Sequence, residues 1–262
     1  RQRRAAARPA PPGRVRLSVV VPAYGEAERI GATIGAVRVA LAALAGAGGY
    51  EVIVVDDGSA DGTAEAARRA GADTVVALPR NRGKGAAVRA GVAAATGRAV
   101  AFLDADLAYH PSQLLRLLDA VESGYDMAVG SRRHVQTVEL VAARRLREVS
   151  GRLFNLLAQI VLLGDYRDTQ CGLKAFRADA AARLFAGGRI DGFAFDVELF
   201  HLAERYGFSL VEVPVEVTNS PRSTVRVAAQ GWRMVRDLLR LRRWAVRGRD
   251  AAPAPAALGL PA

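Results

Sequence analysis

The strongest constraint on the fold is a regular alternation of short apolar runs with alanine-rich segments of helical spacing. The apolar runs lie at 17–22, 51–55, 74–78, 99–104 and 126–130. The segments between them lie at about 27–45, 61–71, 84–96 and 111–123. Continuously apolar runs are typical of strands covered on both faces of a parallel sheet. The sequence therefore predicts an α/β fold with a mostly parallel, Rossmann-like sheet and helices on both faces.

A cluster of polar residues follows each apolar run. The clusters lie at 22–26, 56–59, 81–85, 104–106 and 130–132. In open parallel sheets, ligands bind beyond the carboxyl ends of the strands. We therefore expect these clusters to meet in a single cleft.

The pattern changes past residue 138. Apolar residues recur at helical spacing over 146–163, and residues 209–217 alternate like a half-buried strand in which Pro214 favours an edge position. An arginine-rich amphipathic stretch covers 225–246. The expected divisions are a flexible basic arm at 1–16, a main domain at 17–221, a basic amphipathic helix at 222–250 and a flexible tail at 251–262.

The positive charge of the chain is concentrated at its two ends. The net charge is +11, of which residues 1–16 carry +6 and residues 222–249 carry +8, so the remainder sums to −3. Basic ends on a nearly neutral body suggest an anionic partner surface, either membrane or nucleic acid, although a solvated basic face would look the same. The single cysteine, Cys171, excludes an intrachain disulfide and favours a reducing compartment. No apolar run reaches the ~20 residues that span a bilayer.

Paired acidic residues at two strand ends carry the clearest chemical signal. Asp104 and Asp106 can share a hard divalent cation, Mg²⁺ or Mn²⁺, with the phosphates of a substrate. An acidic turn before a helix is the alternative interpretation. Asp56 and Asp57 can accept hydrogen bonds from a ribose hydroxyl or a base, although part of that segment can instead cap the next helix.

Basic residues in two further segments could bind phosphate. Lys84 lies in the glycine-rich segment 81–85 at a predicted helix start, where backbone N–H groups favour anions. Lys84 and Lys174 are the only lysines in the chain. Several arginines, among them Arg147 and Arg152, fall on neighbouring helical positions at 144–152, which suits a phosphate group or simply a solvated face.

These motifs resemble those of a known family. VPAYGE at 21–26, VDDGS at 55–59, NRGKG at 81–85 and LDAD at 103–106 resemble the inverting family-two glycosyltransferases, which have the GT-A fold. DTQCGLKAF at 168–176, FDVEL at 195–199 and EVPV at 212–215 are similar to the dolichyl- or polyprenyl-phosphate sugar synthases. Ala108 stands where the mannose synthases have glutamine, which indicates the glucosyl branch.

The resemblance implies a role for individual residues. Those implied to bind the nucleotide sugar are Pro22, Tyr24, Glu26, Asp56, Asp57, Lys84, Asp104, Ala105, Asp106, Gln170 and Lys174. The implied metal ligands are Asp104 and Asp106. The implied catalytic residues are Arg132, Arg147, Arg152 and Asp196. The implied acceptor-side residues are Asn155, Glu198, Arg222 and Arg226, the two arginines because Thr224 replaces the usual lysine of the family.

The expected reaction moves a hexose from a nucleotide diphosphate sugar to a polyprenyl phosphate. UDP-glucose is the expected donor and GDP-mannose the alternative. A phosphate acceptor needs no strong general base, whereas a soluble hydroxyl acceptor, the rival within enzymes, would require Asp196 in that role. The net charge of −3 outside the two basic ends and the lack of interleaved aromatic residues argue against a nucleic-acid-binding protein. The intact Asp104 and Asp106 argue against an inactive scaffold. We expect peripheral attachment to the cytoplasmic face of an anionic membrane.

Overall fold

The five apolar runs form the first five strands of the chain. The computed structural model describes residues 8–46, 48–141, 166, 168–218 and 227–246. The first five strands are β1 (Val15–Ala23), β2 (Tyr50–Asp56), β3 (Thr74–Ala77), β4 (Gly97–Phe102) and β5 (Met127–Ser131). The helices between them are α1 (Ile30–Ala40), α2 (Thr63–Arg69), α3 (Lys84–Ala94) and α4 (Gln113–Glu122), with a 3₁₀ turn at Ala42–Leu44. The predicted alternation of strands and helices is confirmed.

The later part of the described chain completes the main sheet and adds a smaller one. Its strands are β6 (Val138–Val141), β7 (Lys174–Arg177), β8 (Leu210–Pro214) and β9 (Glu216–Thr218), and its helices are α5 (Ala178–Gly187), α6 (Phe195–Arg205) and α7 (Val227–Val246). The main sheet has the strand order β3-β2-β1-β4-β7-β5-β8. Every pairing in it is parallel except those of β7, which runs antiparallel to β4 and β5. The mostly parallel sheet is confirmed.

Two hydrophobic cores lie on opposite faces of this sheet. Along β1, Val19 and Val21 pack into the core that contains residues of α1, α2 and α4. Val20, between them, packs into the core that contains residues of α3, α5, α6 and α7. Because successive side chains of a strand point to opposite faces, a strand covered on both sides needs apolar residues at every position.

β7 was not predicted from the sequence, and two other strands were predicted as one. β7 has only four residues with a basic residue at each end, so no apolar run marks it, yet all four are buried. Residues 209–217 were predicted as one strand but form two. β8 occupies the edge of the main sheet, as Pro214 indicated, and β9 pairs with β6 in the second sheet. The break follows Pro214, which has no N–H to continue a ladder.

The ends of the chain depart from the predicted divisions where they are described. β1 begins at Val15, two residues before the expected boundary. Part of the basic arm lies against the domain, because the Arg14 N–H donates to the Thr96 carbonyl at 2.8 Å and Arg8 pairs with Asp126. The predicted helix at 146–163, arm residues 1–7 and the tail at 251–262 lie outside the described residues. No helix in the described part of the chain is long and apolar enough to cross a bilayer.

Candidate active site

The loop after β2 is fastened to the start of α3 by a buried carboxylate. Asp57 accepts hydrogen bonds from the backbone N–H groups of Arg82 and Gly83, each at 2.8 Å. Burial raises the pKa of Asp57, and these two hydrogen bonds partly offset the effect. Asp56, also buried, accepts from the Ser59 N–H at 3.0 Å. The two aspartates therefore shape the loop that leads to Lys84.

The loop after β1 presents an aromatic side chain at the same edge of the sheet. Tyr24 is 56% exposed, so one face of its ring is available for stacking. Pro22 is half-buried in β1. Glu26 is held by Arg29 through hydrogen bonds of 2.7 and 3.0 Å, and its pKa is raised by burial despite that cation. Of these predicted nucleotide contacts, Tyr24 is the most accessible.

The carboxylates that follow β4 differ in their surroundings. One oxygen of Asp104 pairs with the Lys84 ammonium at 2.5 Å. Burial opposes the charge on Lys84, but the negative charges of Asp104 and Asp196 outweigh burial and raise its pKa. Asp106 is exposed, and its pKa is raised by desolvation from surrounding protein atoms and by the negative charge of Asp104. Lys84 therefore lies against the predicted metal ligands.

Local contacts fix the shape of the loop at 104–108, which carries Asp104 and Asp106. We call it the carboxylate loop. The Thr33 hydroxyl of α1 donates to the Ala105 carbonyl at 2.7 Å, and the Ala108 N–H donates to Asp106 at 3.0 Å. Leu107 has a φ of 54°, an uncommon conformation for a residue other than glycine. Strained backbone of this kind occurs often at functional sites. Ala105 itself is buried, so its predicted contact with the donor would have to come from the backbone.

The other side of Asp104 is closed by a glycine. A Cβ atom at Gly172 would overlap the Asp104 carboxylate. Because glycine has no side chain, the segment after Cys171 can come this close to the end of β4 without displacing Asp104.

We expect Gly172→Ala to weaken metal binding and transfer by about tenfold or more, because the new methyl group would displace a charged ligand. Gly35→Ala is the matched control, since a Cβ at that helical position has no atom within 4 Å and should stabilise α1 by about 1 kcal/mol. Mn²⁺ titration and initial rates would be measured for both variants. Equal metal affinity in Gly172→Ala and the unchanged protein would contradict the close approach.

Beneath the carboxylate loop lies a buried ion pair. The Lys174 ammonium, on β7, lies 2.5 Å from the Asp196 carboxylate of α6 and 2.6 Å from the Cys171 carbonyl. Lys174 is 0% exposed. Its ammonium also lies over the rings of Phe102 and Phe200. Burial raises the pKa of Asp196, an effect opposed by Lys174 and Lys84. Lys174 and Asp196 are thus paired with each other. The predicted contacts of Lys174 with the sugar and of Asp196 with the acceptor would require this ion pair to break.

A second ion pair joins the end of β5 to the segment before β7. Arg132 donates from Nε and Nη2 to the two oxygens of Asp168 at 2.7 and 2.8 Å. Arg132 keeps 40% of its side chain exposed while Asp168 has 3%. Asp168 also accepts from the Gln170 N–H at 3.0 Å, and Gln170 Nε2 is buried without a hydrogen-bond partner among the described residues. Arg132 and Gln170 therefore retain donors for a ligand.

Burial and neighbouring charges shift the pKa values of Asp168 and Cys171. Burial alone would raise the pKa of Asp168, but the Arg132 guanidinium outweighs it and lowers the pKa to about 2. Burial and the negative charge of Asp168 raise the pKa of the neighbouring Cys171 thiol to about 11. Cys171 therefore remains protonated near neutral pH and cannot act as a nucleophile there.

Asp168→Asn is expected to lower the free energy of unfolding near neutral pH by about 2 kcal/mol. The pKa of Asp168 falls from 3.8 to about 2 on folding, so the pair stabilises the protein fully above the higher value and loses that effect as the pH falls towards the lower one. Urea unfolding over a descending pH series would show the difference between variant and unchanged protein narrowing. Glu65→Gln, in an exposed pair with Arg68, should cost less than about 1 kcal/mol. If the difference in unfolding free energy between Asp168→Asn and the unchanged protein did not vary with pH, this account would be wrong.

Glu198 has a contact that the sequence did not indicate. It is buried, and its two carboxylate oxygens accept the N–H groups of Arg189 and Ile190, each at 2.9 Å. The carboxylate is therefore engaged with the loop before α6 rather than presented to an acceptor. Arg147, Arg152, Asn155, Arg222 and Arg226 lie outside the described residues, so their roles stay predictions. Asp168 was given no role in the sequence analysis, and its place in the 168–176 block was the available signal.

The carboxylate loop has the donor types that a hard divalent cation requires. Asp104 and Asp106 supply oxygen ligands, which Mg²⁺ and Mn²⁺ prefer. Within the described residues no group of three or more His, Cys, Asp or Glu side chains could hold a metal ion. A cation bound here would therefore take further ligands from substrate phosphates or water, as Mg²⁺ sites with one or two carboxylates do.

The mostly parallel seven-stranded sheet covered by helices is the GT-A fold. Residues 18–185, more than half of the chain, match the family described as glycosyl transferase family 2. The chain belongs to that family.

Relatives of known name cover most of the chain. It is 36% identical over 238 residues to the dolichyl-phosphate β-glucosyltransferase of Drosophila melanogaster, covering 85% of this chain and 73% of that protein. It is 32% identical over 245 residues to the polyprenol monophosphomannose synthase of Mycolicibacterium smegmatis, covering 89% and 88%. Glucosyl-3-phosphoglycerate synthase from Mycobacterium tuberculosis, solved with Mn²⁺ and UDP, has a similar fold (TM-score 0.64, 23% identity, covering 95% of this chain and 81% of that one).

Proposed function

We propose that this glycosyltransferase transfers a hexose from a nucleoside diphosphate sugar to the phosphate of a polyprenyl lipid. The observation that carries the proposal is the extended similarity to relatives named for dolichyl-phosphate and polyprenol-phosphate substrates. The site is compatible with it, because Arg132 lies at the end of β5, keeps part of its guanidinium exposed and can bind an acceptor phosphate. Lys84, Asp104 and Asp106 lie at the same edge of the sheet on the donor side.

Glucose from UDP-glucose is the donor that we propose. The 36% identity to a dolichyl-phosphate β-glucosyltransferase supports it, as does Ala108 at the position where mannose synthases have glutamine. GDP-mannose is the second candidate because of the 32% identity to a polyprenol monophosphomannose synthase. The two donors differ in base and sugar, so direct competition between them separates the candidates.

The described residues suggest how the reaction would proceed. Tyr24 would stack on the base, and Asp57 would keep the loop before Lys84 in place. Asp104 and Asp106 would hold Mg²⁺ or Mn²⁺, which when bound supplies charge stabilisation for the leaving diphosphate. Lys84 would then exchange its contact with Asp104 for one with the diphosphate.

On the acceptor side, Arg132 would orient the lipid phosphate. An oxygen of that phosphate forms the new bond to the anomeric carbon as the bond from that carbon to the diphosphate breaks. The nucleoside diphosphate leaves, and an α-linked donor gives a β-linked product. The acceptor is already ionised, so the reaction requires no proton transfer to Asp196.

A transfer assay tests the proposal. The purified protein would be incubated with Mg²⁺, polyprenyl phosphate in detergent and either labelled UDP-glucose or labelled GDP-mannose. We expect an organic-soluble product labelled from UDP-glucose. Label from GDP-mannose alone would support the second candidate. Transfer only to a soluble hydroxyl compound would contradict the lipid acceptor and require a general base.

We also propose that the protein attaches peripherally to the cytoplasmic face of an anionic membrane, with α7 as part of the contact. The amphipathic pattern at 225–246 does not by itself distinguish an apolar side that faces a membrane from one that packs on the domain. Leu238 and Leu241 are buried and Trp244 is half-buried, so these three side chains pack inward. The exposed apolar residues are Trp232, Leu239 and Val246, at intervals of seven residues. We call these three residues the outer stripe.

Basic residues flank the outer stripe along the helix. Arg236 and Arg243 follow Trp232 and Leu239 by four residues each, on the same side of the helix, and both are exposed. A helix with exposed aromatic and aliphatic side chains among arginines is typical of one that lies in a membrane interface. The chain has a single cysteine, Cys171, which is buried, and this is compatible with a reducing cytoplasmic side.

Trp232→Asp combined with Leu239→Asp should reduce co-sedimentation with anionic vesicles by about tenfold or more, because the apolar contact is removed and negative charge is added. Val39→Asp is the control, since Val39 is an exposed apolar residue on α1 and its replacement should leave binding nearly unchanged. The assay would be repeated at high salt, which screens the arginine contribution. Unchanged sedimentation of the double variant would contradict the role of α7.

A further inference from the structure

A cavity of about 490 Å³ lies beside α7, apart from the carboxylate loop. Its walls are residues 81–83 before α3, the loop at 189–193 and one side of α7. Five arginines and two aspartates line it: Arg82, Arg189, Arg233, Arg236, Arg240, Asp191 and Asp237. The cavity is therefore strongly basic.

The two aspartates are already paired with arginines. Asp191 lies 3.1 Å from Arg82 and 2.8 Å from Arg89. Burial works against the charge on Asp191, but the two guanidinium groups outweigh it and lower its pKa. Asp237 lies within ion-pair distance of Arg236 and Arg240, at 3.7 and 3.3 Å.

Two arginines of the cavity are left without an acidic partner. Arg189 and Arg233 are exposed, and neither forms an ion pair among the residues that the structure describes. The Arg189 guanidinium lies 5.6 Å from the centre of the Trp244 ring, which holds it at the cavity wall. These two side chains therefore carry two of the three positive charges that the cavity lining has in excess.

The helix places the cavity next to the outer stripe. Met234 and five other residues of α7 line the cavity: Arg233, Arg236, Asp237, Arg240 and Trp244. The last four of these are spaced three, four, seven and eleven residues from Arg233, which puts the five on one side of the helix. At about 100° per residue, that side lies roughly a third of a turn from the outer stripe and towards the buried face. A membrane resting on the outer stripe would bring its headgroups to the level of the cavity.

We propose that this cavity binds the phosphate of an anionic phospholipid headgroup, at a site separate from the one for the lipid acceptor. Guanidinium groups bind phosphate through two parallel charged hydrogen bonds, and Arg189 and Arg233 have no acidic partner among the described residues. The inference rests on the proposed membrane attachment, which brings the headgroup to the cavity. Free phosphate has the same chemistry, so the experiment includes it separately.

The test measures binding and does not depend on transfer activity. The chain contains two tryptophans, so Trp232→Phe leaves Trp244 as a single fluorophore at the cavity. Short-chain phosphatidylglycerol below its micelle concentration, short-chain phosphatidylcholine and inorganic phosphate would be titrated separately, with calorimetry in parallel. We expect saturable binding of phosphatidylglycerol in both measurements, tighter than that of phosphatidylcholine or inorganic phosphate.

Matched arginine variants distinguish a specific phosphate-binding site from non-specific electrostatic attraction. Arg189→Gln with Arg233→Gln should weaken phosphatidylglycerol binding by about tenfold or more. Arg69→Gln with Arg242→Gln removes the same charge outside the cavity, at two exposed positions, and should weaken it by less than about threefold. Both pairs are exposed, so folding should be unaffected. Equal losses in the two pairs, tighter binding of inorganic phosphate, or no saturable binding by calorimetry would overturn the proposal, even if the transfer reaction is as proposed.

Discussion

Replacing Asp104 by asparagine is expected to lower turnover by a factor of about 10³ or more while the fold persists. The substitution keeps the size of the side chain but removes the charge that would hold the cation beside the diphosphate. A metal ion contributes several kcal/mol of stabilisation to such a transition state, and each ~1.4 kcal/mol corresponds to a tenfold change in rate. Asp104 is half-buried at the end of β4, so its loss should affect stability much less than activity.

Two measurements are needed to assign the loss to metal binding. Initial rates would be compared over a range of Mn²⁺ concentrations, and Mn²⁺ binding would be followed directly by electron paramagnetic resonance. Asp119→Asn, on the exposed side of α4, removes the same charge away from the site and should change neither. If Asp104→Asn retained near-normal turnover, or if excess chelator left the unchanged protein fully active, the metal assignment would be wrong.

Replacing Asp196 by alanine should lower the free energy of unfolding by about 3–5 kcal/mol, since it leaves the Lys174 ammonium buried without its partner. Lys174 is fully buried, and its nearest charged contact is the Asp196 carboxylate at 2.5 Å. Replacing both residues, by Lys174→Met and Asp196→Leu, should recover most of the lost stability because apolar side chains of similar size suit a buried position. Urea unfolding would compare the two variants.

The same pair of variants tests whether Asp196 acts as a base. Because a phosphate acceptor needs no proton removed, the folded double variant should retain transfer to polyprenyl phosphate within about tenfold of normal. A double variant that is stable but inactive would favour a catalytic role for Asp196. A single variant that loses less than about 1 kcal/mol would instead show that Lys174 tolerates the loss of its partner.

The sequence predicted those parts of the fold in which the hydrophobic pattern of a segment matches its burial in the structure. The residues of β1 are apolar on both faces because helices cover both faces, so the run at 17–22 was sufficient. β7 could not be found in this way, because Lys174 becomes a buried strand residue only through Asp196, which lies 22 positions further along the chain. Burial there depends on a long-range ion pair, which no local window contains.

The candidate site was predicted as a set of residues but not as a set of contacts. The clusters after the apolar runs were located correctly at the edge of the sheet, since that follows from parallel strand direction. The pairing of Arg132 with Asp168 depends on how β5 meets β7, which the sequence does not reveal. Helical periodicity likewise identified α7 but could not decide that Leu238 faces the domain while Leu239 faces outward.

The position of β7 has a consequence for how the molecule folds. β4 and β5 have no hydrogen bonds to each other in the main sheet, because β7 lies between them and pairs with both. The chain must therefore reach residue 177 before the two parts of the sheet can be joined, and such non-local pairing is intrinsically slow. The strand that joins them also carries Lys174 and follows Gly172, which contacts Asp104. We therefore expect the carboxylate loop to reach its observed shape only when the sheet closes, because both depend on the segment at 172–177.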